Sequence, residues 1–137
     1  MTEKTLVLLK PDAVSRGLVG AIVGRYEAKG LTIVAMDLRT IDGAFADKHY
    51  AEHIARDFYP PLRTFITSGP LVALVLEGER AIEAVRALNG ATDGIAATAG
   101  TVRGDYATSN RLNLVHASDS PASAAREIAL WFPAVHP

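Results

Sequence analysis

The sequence predicts an α+β fold in which a four-stranded antiparallel sheet, of the split βαβ arrangement, carries helices on one face. Two observations support this prediction. Short apolar runs of strand length recur along the chain, and helix-like segments separate them without the strict alternation of a parallel sheet. The chain has 137 residues, no internal repeat and no linker-like stretch, so we expect a single domain spanning 1–137.

The first half of the chain predicts two strands and three helical segments. Residues 5–9 are wholly apolar and end at Lys-Pro-Asp, as expected of a buried strand. Residues 17–29 carry apolar side chains four positions apart and stop at a glycine, which favours a helix. Residues 31–38 predict the second strand and residues 43–57 a polar helix. A Tyr-Pro-Pro interruption then precedes a short helix over 62–67.

The second half adds two strands, two helices and one long loop. Residues 71–76 predict the third strand and residues 79–88 a helix with an apolar inner face. Residues 89–110 are rich in Gly, Ala and Thr and show no period, and a loop of that length is usually functional. Residues 112–115 predict the last strand, and a Ser-Pro start favours a helix over 121–131. This order fits a ferredoxin-like fold with a long loop before the last strand.

Composition restricts the partners that we expect. The formal net charge is -1 and no Lys/Arg cluster is present, which argues against a nucleic acid partner. There is no cysteine, so disulfides and thiolate metal sites are excluded. The apolar run near the N-terminus has five residues, too few for a signal peptide core or a membrane span. We therefore expect a cytoplasmic protein with no membrane partner.

Common catalytic motifs are missing from the sequence. It contains neither a P-loop nor the protein kinase motifs, and its early glycines do not have dinucleotide-binding spacing. His49 and His53 lie four residues apart, but a zincin would need Glu where Tyr50 stands. We therefore favour a solvated helix face over a metal site for this histidine pair.

One segment, Asn-Leu-Val-His-Ala-Ser-Asp-Ser, places His116 between an apolar strand and a capped helix. Backbone N–H groups at a helix N-terminus favour phosphate, and a neutral histidine held in one tautomer can act as a nucleophile. Ser118 and Glu127 are the candidate partners for its other ring nitrogen. Histidines in such positions are more often structural, so the spacing alone leaves catalysis open.

The remaining candidate cations and aromatic residues could each contact a ligand or have a purely structural or solvated role. Lys10 follows a buried strand, where functional residues often occur, but a solvated strand end is an equal alternative. Arg86 and Arg103 are ordinary surface arginines if taken alone, and together they would bracket a phosphate. Phe58 and Tyr59 would stack on a base or pack in the core.

These pieces, taken in order, resemble the nucleoside diphosphate kinase family over essentially the whole chain. The matching blocks are TLVLLKPDAV, GLVGAIVGRYEAKGLTIVA, HYAEH, FYPPL, SGPLVALVLEG, and NLVHASDS followed by SAAREIALWF. The NxxH[GA]SDS pattern is highly specific to that family. The resemblance implies transfer of a γ-phosphate from an NTP, mainly ATP, to an NDP through a phosphohistidine on His116, with Mg²⁺ bridging the phosphates and no protein side chain as its main ligand.

The resemblance also implies roles for further residues. Glu127 and Ser118 would fix the histidine, and Tyr50 would lie beside the transferred phosphoryl group. Lys10 and Asn113 would contact phosphate and the ribose 3′ hydroxyl. The remaining implied contacts are to the outer phosphates and the base, from Arg86, Thr92, Arg103, Phe58 and Leu62. The family forms tetramers or hexamers built from dimers, so a homo-oligomer is expected.

The chain departs from the family pattern at four positions. Ala117 replaces the commoner glycine, and Asn110 stands where an apolar residue usually faces the base. Gly94 and Ala99 replace two loop prolines, which predicts a looser loop. In the family this loop also helps to form subunit contacts, so we expect the two replacements to affect oligomer assembly. We accordingly predict that Gly94→Pro raises the melting temperature if the backbone angles permit.

The backbone between Asn113 and His116 presents a geometric problem. In an ideal strand these two residues face opposite sides of the sheet. Both can reach one nucleotide only if the backbone turns between them or the strand ends early.

A non-catalytic nucleotide-binding module with the same fold is the alternative function. Such a module would be expected to lack at least one residue of the implied catalytic set. The set is complete here, which favours the enzyme.

Overall fold

The structure, a computed structural model that describes residues 2–136, contains one four-stranded antiparallel sheet. The strands run in the spatial order β2-β3-β1-β4. Their bounds are Thr2–Leu9 (β1), Thr32–Arg39 (β2), Leu71–Glu79 (β3) and Val115–Ala117 (β4). This arrangement confirms the predicted fold class.

Seven α-helices and one 3₁₀ turn connect these strands within the described residues. The helices are Pro11–Ser15 (α1), Val19–Ala28 (α2), Gly43–His49 (α3), Tyr59–Ile66 (α4), Ala81–Asn89 (α5), Val102–Tyr106 (α6) and Pro121–Trp131 (α7), and the 3₁₀ turn is Ala51–His53. None of these helices is long and apolar enough to cross a bilayer.

Helices cover both faces of the sheet, whereas the sequence analysis placed them on one. Val7 and Leu9 of β1 pack in a core with α2, α5 and α6, while Leu6 and Leu8 pack in a second core with α3, α4 and α7. Because β1 is a central strand buried on both faces, its apolar run is continuous and shows no alternation. The apolar run therefore predicted a buried strand, but it did not indicate whether helices cover one face of the sheet or both.

Several element boundaries differ from the predictions for local reasons. Pro60 and Pro61 lie inside the first turn of α4, where a missing N–H breaks no helical hydrogen bond. The short helix α1 follows β1 directly and was not predicted. Helix α6 lies within the predicted loop, and it is capped by Thr101, whose side chain accepts a hydrogen bond from the Gly104 N–H.

The segment between α5 and β4 is anchored to α2. Arg25 donates hydrogen bonds to the carbonyl of Gly100 (3.0 Å) and to the carboxylate of Asp105 (2.6 Å).

A Cβ atom at Gly94 would overlap the backbone carbonyl of Ala107. The prediction that Gly94→Pro raises the melting temperature is therefore wrong for this structure, because any side chain at position 94 requires the loop to move.

Candidate active site

One open cleft of about 880 Å³ collects nearly all the residues singled out in the sequence. Its walls come from the end of β1, the α3–α4 region, the C-terminal end of α5, the loop before β4, and α7. The predicted site residues that line it are Lys10, Tyr50, Phe58, Leu62, Arg86, Thr92, Arg103, Asn113, His116 and Glu127. Ser118 does not line the cleft, but it bonds to Glu127 behind it.

A turn in the backbone brings Asn113 and His116 to the same cleft. Strand β4 begins at Val115, later than predicted, and the preceding residue, Leu114, has a left-handed φ of 76°. Two contacts hold this turn: the Lys10 N–H donates to the Leu114 carbonyl (2.8 Å), and the Leu114 N–H donates to the Asp12 carboxylate (3.1 Å). The geometric conflict in the sequence is thus resolved by a turn in the backbone. The strand does not end early, because it begins at Val115 and extends to Ala117.

His116 is oriented by a carboxylate on α7. Its Nε2 lies 3.1 Å from Oε1 of Glu127, and the Ser118 hydroxyl donates to the same oxygen at 2.9 Å. Glu127 is only 4% exposed, and Arg126 lies 3.6 Å from its other oxygen. Because Oε1 of Glu127 acts as an acceptor, this hydrogen bond requires a proton on Nε2, which leaves the lone pair of a neutral ring on Nδ1.

A buried lysine and a half-buried arginine also line the cleft. Lys10 is 6% exposed, and burial lowers the pKa of its ammonium group to about 8. Arg103 donates to the carbonyls of Gly90, Asn113 and Val115 at 2.9, 3.3 and 2.6 Å. Burial also lowers the pKa of Arg103, with neighbouring Arg86 acting in the same direction. Arg103 therefore shapes the loop as well as adding positive charge to the cleft.

Asn113 ties the loop to the cleft wall. Its amide nitrogen donates to the carbonyls of Thr92 (3.0 Å) and Asn110 (2.9 Å). Its side-chain amide oxygen, Oδ1, is buried and has no hydrogen-bond partner among residues 2–136. The Asn113 side chain therefore keeps one acceptor unused.

The outer end of the cleft is aromatic and partly open. Phe58 is 47% exposed and its ring lies 5.5 Å from that of His53. Deeper in the cleft, Tyr50 is buried, and burial raises the pKa of its hydroxyl above the ordinary value. The Tyr50 hydroxyl is consequently protonated at neutral pH and can act as a donor.

His49 is buried, which corrects the prediction of a solvated histidine pair. It is 3% exposed, and its ring lies edge-to-face with that of His116 at 4.8 Å between centroids. The indole N–H of Trp131 donates to its Nδ1 at 2.9 Å. Burial holds the pKa of His49 well below its usual range. The burial of His49 had no local signal, because Trp131, which donates a hydrogen bond to its ring, lies 82 positions away.

Ring nitrogens of His49 and His116 and a carboxylate oxygen of Glu127 lie within 4.8 Å of one another, as in some metal sites. The hydrogen bonds argue against ligation in this arrangement. Nδ1 of His49 accepts from Trp131, so a neutral ring carries its proton on Nε2 and has no free lone pair. Glu127 already accepts from two groups.

The family model for nucleoside diphosphate kinase matches residues 3–136 of the chain. The chain belongs to the nucleoside diphosphate kinase family. A family member from Nocardioides sp. is 71% identical over 97% of this chain and 98% of its own length, and one from Cutibacterium acnes is 66% identical over 96% and 95%. The nucleoside diphosphate kinase from Halobacterium salinarum, solved in complex with CDP, has a TM-score of 0.94 at 48% identity and covers 96% of this chain and 88% of its own.

Nucleoside diphosphate kinases transfer phosphate between nucleotides, and the chain is a phosphotransferase of this family. Its cleft is electrostatically suited to that substrate class. The formal charge of the chain is -1, yet Lys10, Arg86 and Arg103 converge on one cavity with His116. These three cations therefore supply the positive charge for binding phosphate that the net charge of the chain does not supply.

Proposed function

We propose that the chain moves the γ-phosphate of an NTP, mainly ATP, to an NDP in two steps, with Nδ1 of His116 carrying the phosphoryl group between them. The observation that supports this most directly is the hydrogen bond from His116 Nε2 to Glu127, which leaves Nδ1 as the nucleophilic atom. In the first step Nδ1 forms a bond to the γ-phosphorus and the bond to the β–γ bridging oxygen breaks, releasing an NDP. In the second step a terminal oxygen of the acceptor NDP attacks phosphorus and the N–P bond breaks.

Glu127 and Ser118 act as positioning residues in this scheme. As Nδ1 bonds to phosphorus, the imidazole becomes positively charged, and the ionised Glu127 at 3.1 Å stabilises that charge. The Ser118 hydroxyl holds the same carboxylate oxygen in place at 2.9 Å. Tyr50 is protonated and lines the cleft, so it is suited to donate to the transferred phosphoryl oxygens.

Three groups of cleft residues bind the phosphates, the ribose and the base of the nucleotide. Lys10, Arg86 and Arg103, with Thr92, provide the donors for phosphate oxygens. Asn113 and Lys10, which line the same cleft, are assigned to the ribose 3′ hydroxyl. Phe58 and Leu62 at the open end provide a stacking surface, which discriminates little between bases because every base has a π face.

Mg²⁺ is the expected cofactor, and the donor set of the cleft fits an ion that is held mainly by nucleotide phosphates. The carboxylates among its described lining residues are Glu52, Asp119 and Glu127, and Glu127 already has two donors. Mg²⁺ commonly keeps several waters and uses one or two carboxylates together with substrate phosphates, so Asp119 and Glu52 are the side chains left for that contact. When bound, the ion would neutralise phosphate charge during transfer.

A homo-oligomer, tetramer or hexamer built from dimers, is part of the proposal. It is supported by strand β2, which lies at the edge of the sheet and exposes Val34 (39%), Met36 (49%) and Leu38 (62%). An exposed apolar edge strand favours pairing with another chain. The cytoplasmic location stays a prediction from composition.

A phosphoenzyme experiment tests the function. The protein is mixed with Mg²⁺ and γ-labelled ATP without an acceptor, and GDP or CDP is then added. We expect an acid-labile, base-stable phosphoprotein that the acceptor discharges. The His116→Ala variant, which removes a side chain 26% exposed at the cleft surface, should fold normally and take no label.

The outcome separates the enzyme from the non-catalytic alternative. A folded wild-type protein that takes no label would favour a nucleotide-binding module. Label in His116→Ala at the wild-type level would refute His116 as the carrier.

A further inference from the structure

Helix α7 contacts both histidines of the site from one face. Glu127 and Trp131 are four residues apart, so their side chains project from adjacent turns on the same side of the helix. Glu127 bonds to Nε2 of His116, and Trp131 donates to Nδ1 of His49. The two histidine rings then meet edge-to-face, at 81° between planes.

We propose that His49 is a positioning residue that holds the ring of His116 in the orientation that presents Nδ1 to the nucleotide. The inference rests on the proposed function of His116. His49 is kept in place on three sides: its ring packs edge-to-face against Tyr50 at 4.6 Å, against His116 at 4.8 Å and against Trp131 at 5.4 Å. A ring packed this tightly restricts rotation of its neighbour.

The tautomer of His49 is also fixed. Because Trp131 donates to Nδ1, the proton of neutral His49 lies on Nε2, a buried atom with no hydrogen-bond partner in the described part of the chain. An unpaired buried N–H lowers stability, and a catalytic role is one of the reasons for which proteins retain such a group. A second charged imidazole here would compete with His116 for the Glu127 carboxylate, and burial keeps His49 neutral.

Trp131 is itself held by Arg39. The guanidinium of Arg39 lies 4.9 Å from the indole ring centroid and donates to the Trp131 carbonyl at 2.6 Å. Phe45 packs edge-on against the same indole at 4.7 Å. The contacts therefore run from the end of β2 through Trp131 and His49 to His116.

The test is single-turnover phosphorylation of His49→Phe and Trp131→Phe. Phenylalanine keeps an aromatic ring at position 49 without its nitrogens, and at position 131 it removes the N–H that fixes the tautomer. We expect the rate of phosphoenzyme formation, per folded molecule, to fall about tenfold in His49→Phe and about threefold in Trp131→Phe, with the nucleotide Kd within twofold of wild type. The double variant should be no slower than His49→Phe, because Trp131 acts through His49.

The position of the label distinguishes positioning from a purely structural role. In wild type we expect ³¹P NMR to find the phosphoryl group on Nδ1, and in His49→Phe a fraction on Nε2, since the freed ring can turn. Tyr106→Phe is the matched control: it removes the hydroxyl of an aromatic residue that packs on Arg25 and does not line the cleft, and it should leave both rate and isomer unchanged.

Two results would overturn the inference. One is a His49→Phe rate within twofold of wild type. The other is a loss of rate that disappears when activity is normalised to the folded fraction, with all the label on Nδ1. In both cases a labelled wild type would leave the proposed function standing, whereas an unlabelled wild type would refute the proposed function and this inference together.

Discussion

Replacing Lys10 with methionine is expected to abolish phosphate transfer and, at the same time, to stabilise the fold. Lys10 is 6% exposed at the end of β1, and burial lowers its pKa from 10.5 to about 8. Each pKa unit corresponds to about 1.4 kcal/mol, so the buried ammonium destabilises the folded state by roughly 3 kcal/mol at pH 7. Methionine keeps most of the apolar stem without the charge.

The pH dependence has a definite sign. Because the pKa of Lys10 is lower in the folded state than in the unfolded state, the unfolded chain binds more protons between about pH 8 and 10.5, and stability rises with pH across that window. Below about pH 8 the destabilisation of the folded state by the buried ammonium is fully present. The advantage of Lys10→Met should therefore be roughly 3 kcal/mol at pH 7 and about 1 kcal/mol at pH 10.

Urea denaturation at pH 7 and pH 10 measures both values. With an m-value of about 1–3 kcal/mol per molar, the variant's midpoint should lie roughly 1–3 M higher at pH 7. Other groups also titrate at high pH, so only the difference between variant and wild type is interpreted. Lys29→Met, at an exposed position, is the matched control and should change stability little at either pH. A Lys10→Met protein no more stable than wild type at pH 7 would refute the burial argument.

Substitutions at three further positions test other parts of the structure. Gly94→Ala should lower the melting temperature by roughly 3–10 °C, because its Cβ would overlap the Ala107 carbonyl; a higher value in thermal denaturation would contradict this. Glu127→Gln should slow single-turnover phosphorylation about 10–100-fold, since the developing imidazolium loses its counter-charge; a wild-type rate would exclude that role. Asp12→Ala should cost about 1–3 kcal/mol in unfolding free energy and reduce turnover, because the Leu114 N–H loses its acceptor, whereas Asp12→Asn should retain both.

The sequence predicted the sheet well because strand signals are local. The apolar runs at 5–9 and 71–76 lie within β1 and β3, and only their ends extend further than predicted. Helix α7 was predicted to its last residue by its Ser-Pro start and the proline after it. These features depend on neighbours within a few residues, which a sequence displays directly.

Features that depend on distant contacts were not visible in the sequence. The left-handed turn at Leu114 has no glycine to signal it and is held by groups near residue 10. The burial of His49 depends on Trp131, and the helix α6 lies in a stretch without apolar periodicity. The resemblance to the family named the candidate site residues, and the structure supplied the hydrogen bonds and turns that bring nearly all of them to one cleft.

The cleft joins segments that are far apart along the chain, and this has a consequence for protein synthesis. Lys10 donates to the carbonyl of Arg111, 101 residues later, and β4 and α7 complete the walls around it. Contacts of such long sequence separation close late in folding. On the ribosome, β1 must remain without β3 and β4 until those strands emerge, so its apolar surface is exposed to chaperones and proteases during that interval. Phosphotransfer activity in a fresh translation mixture would therefore report the completion of the whole fold.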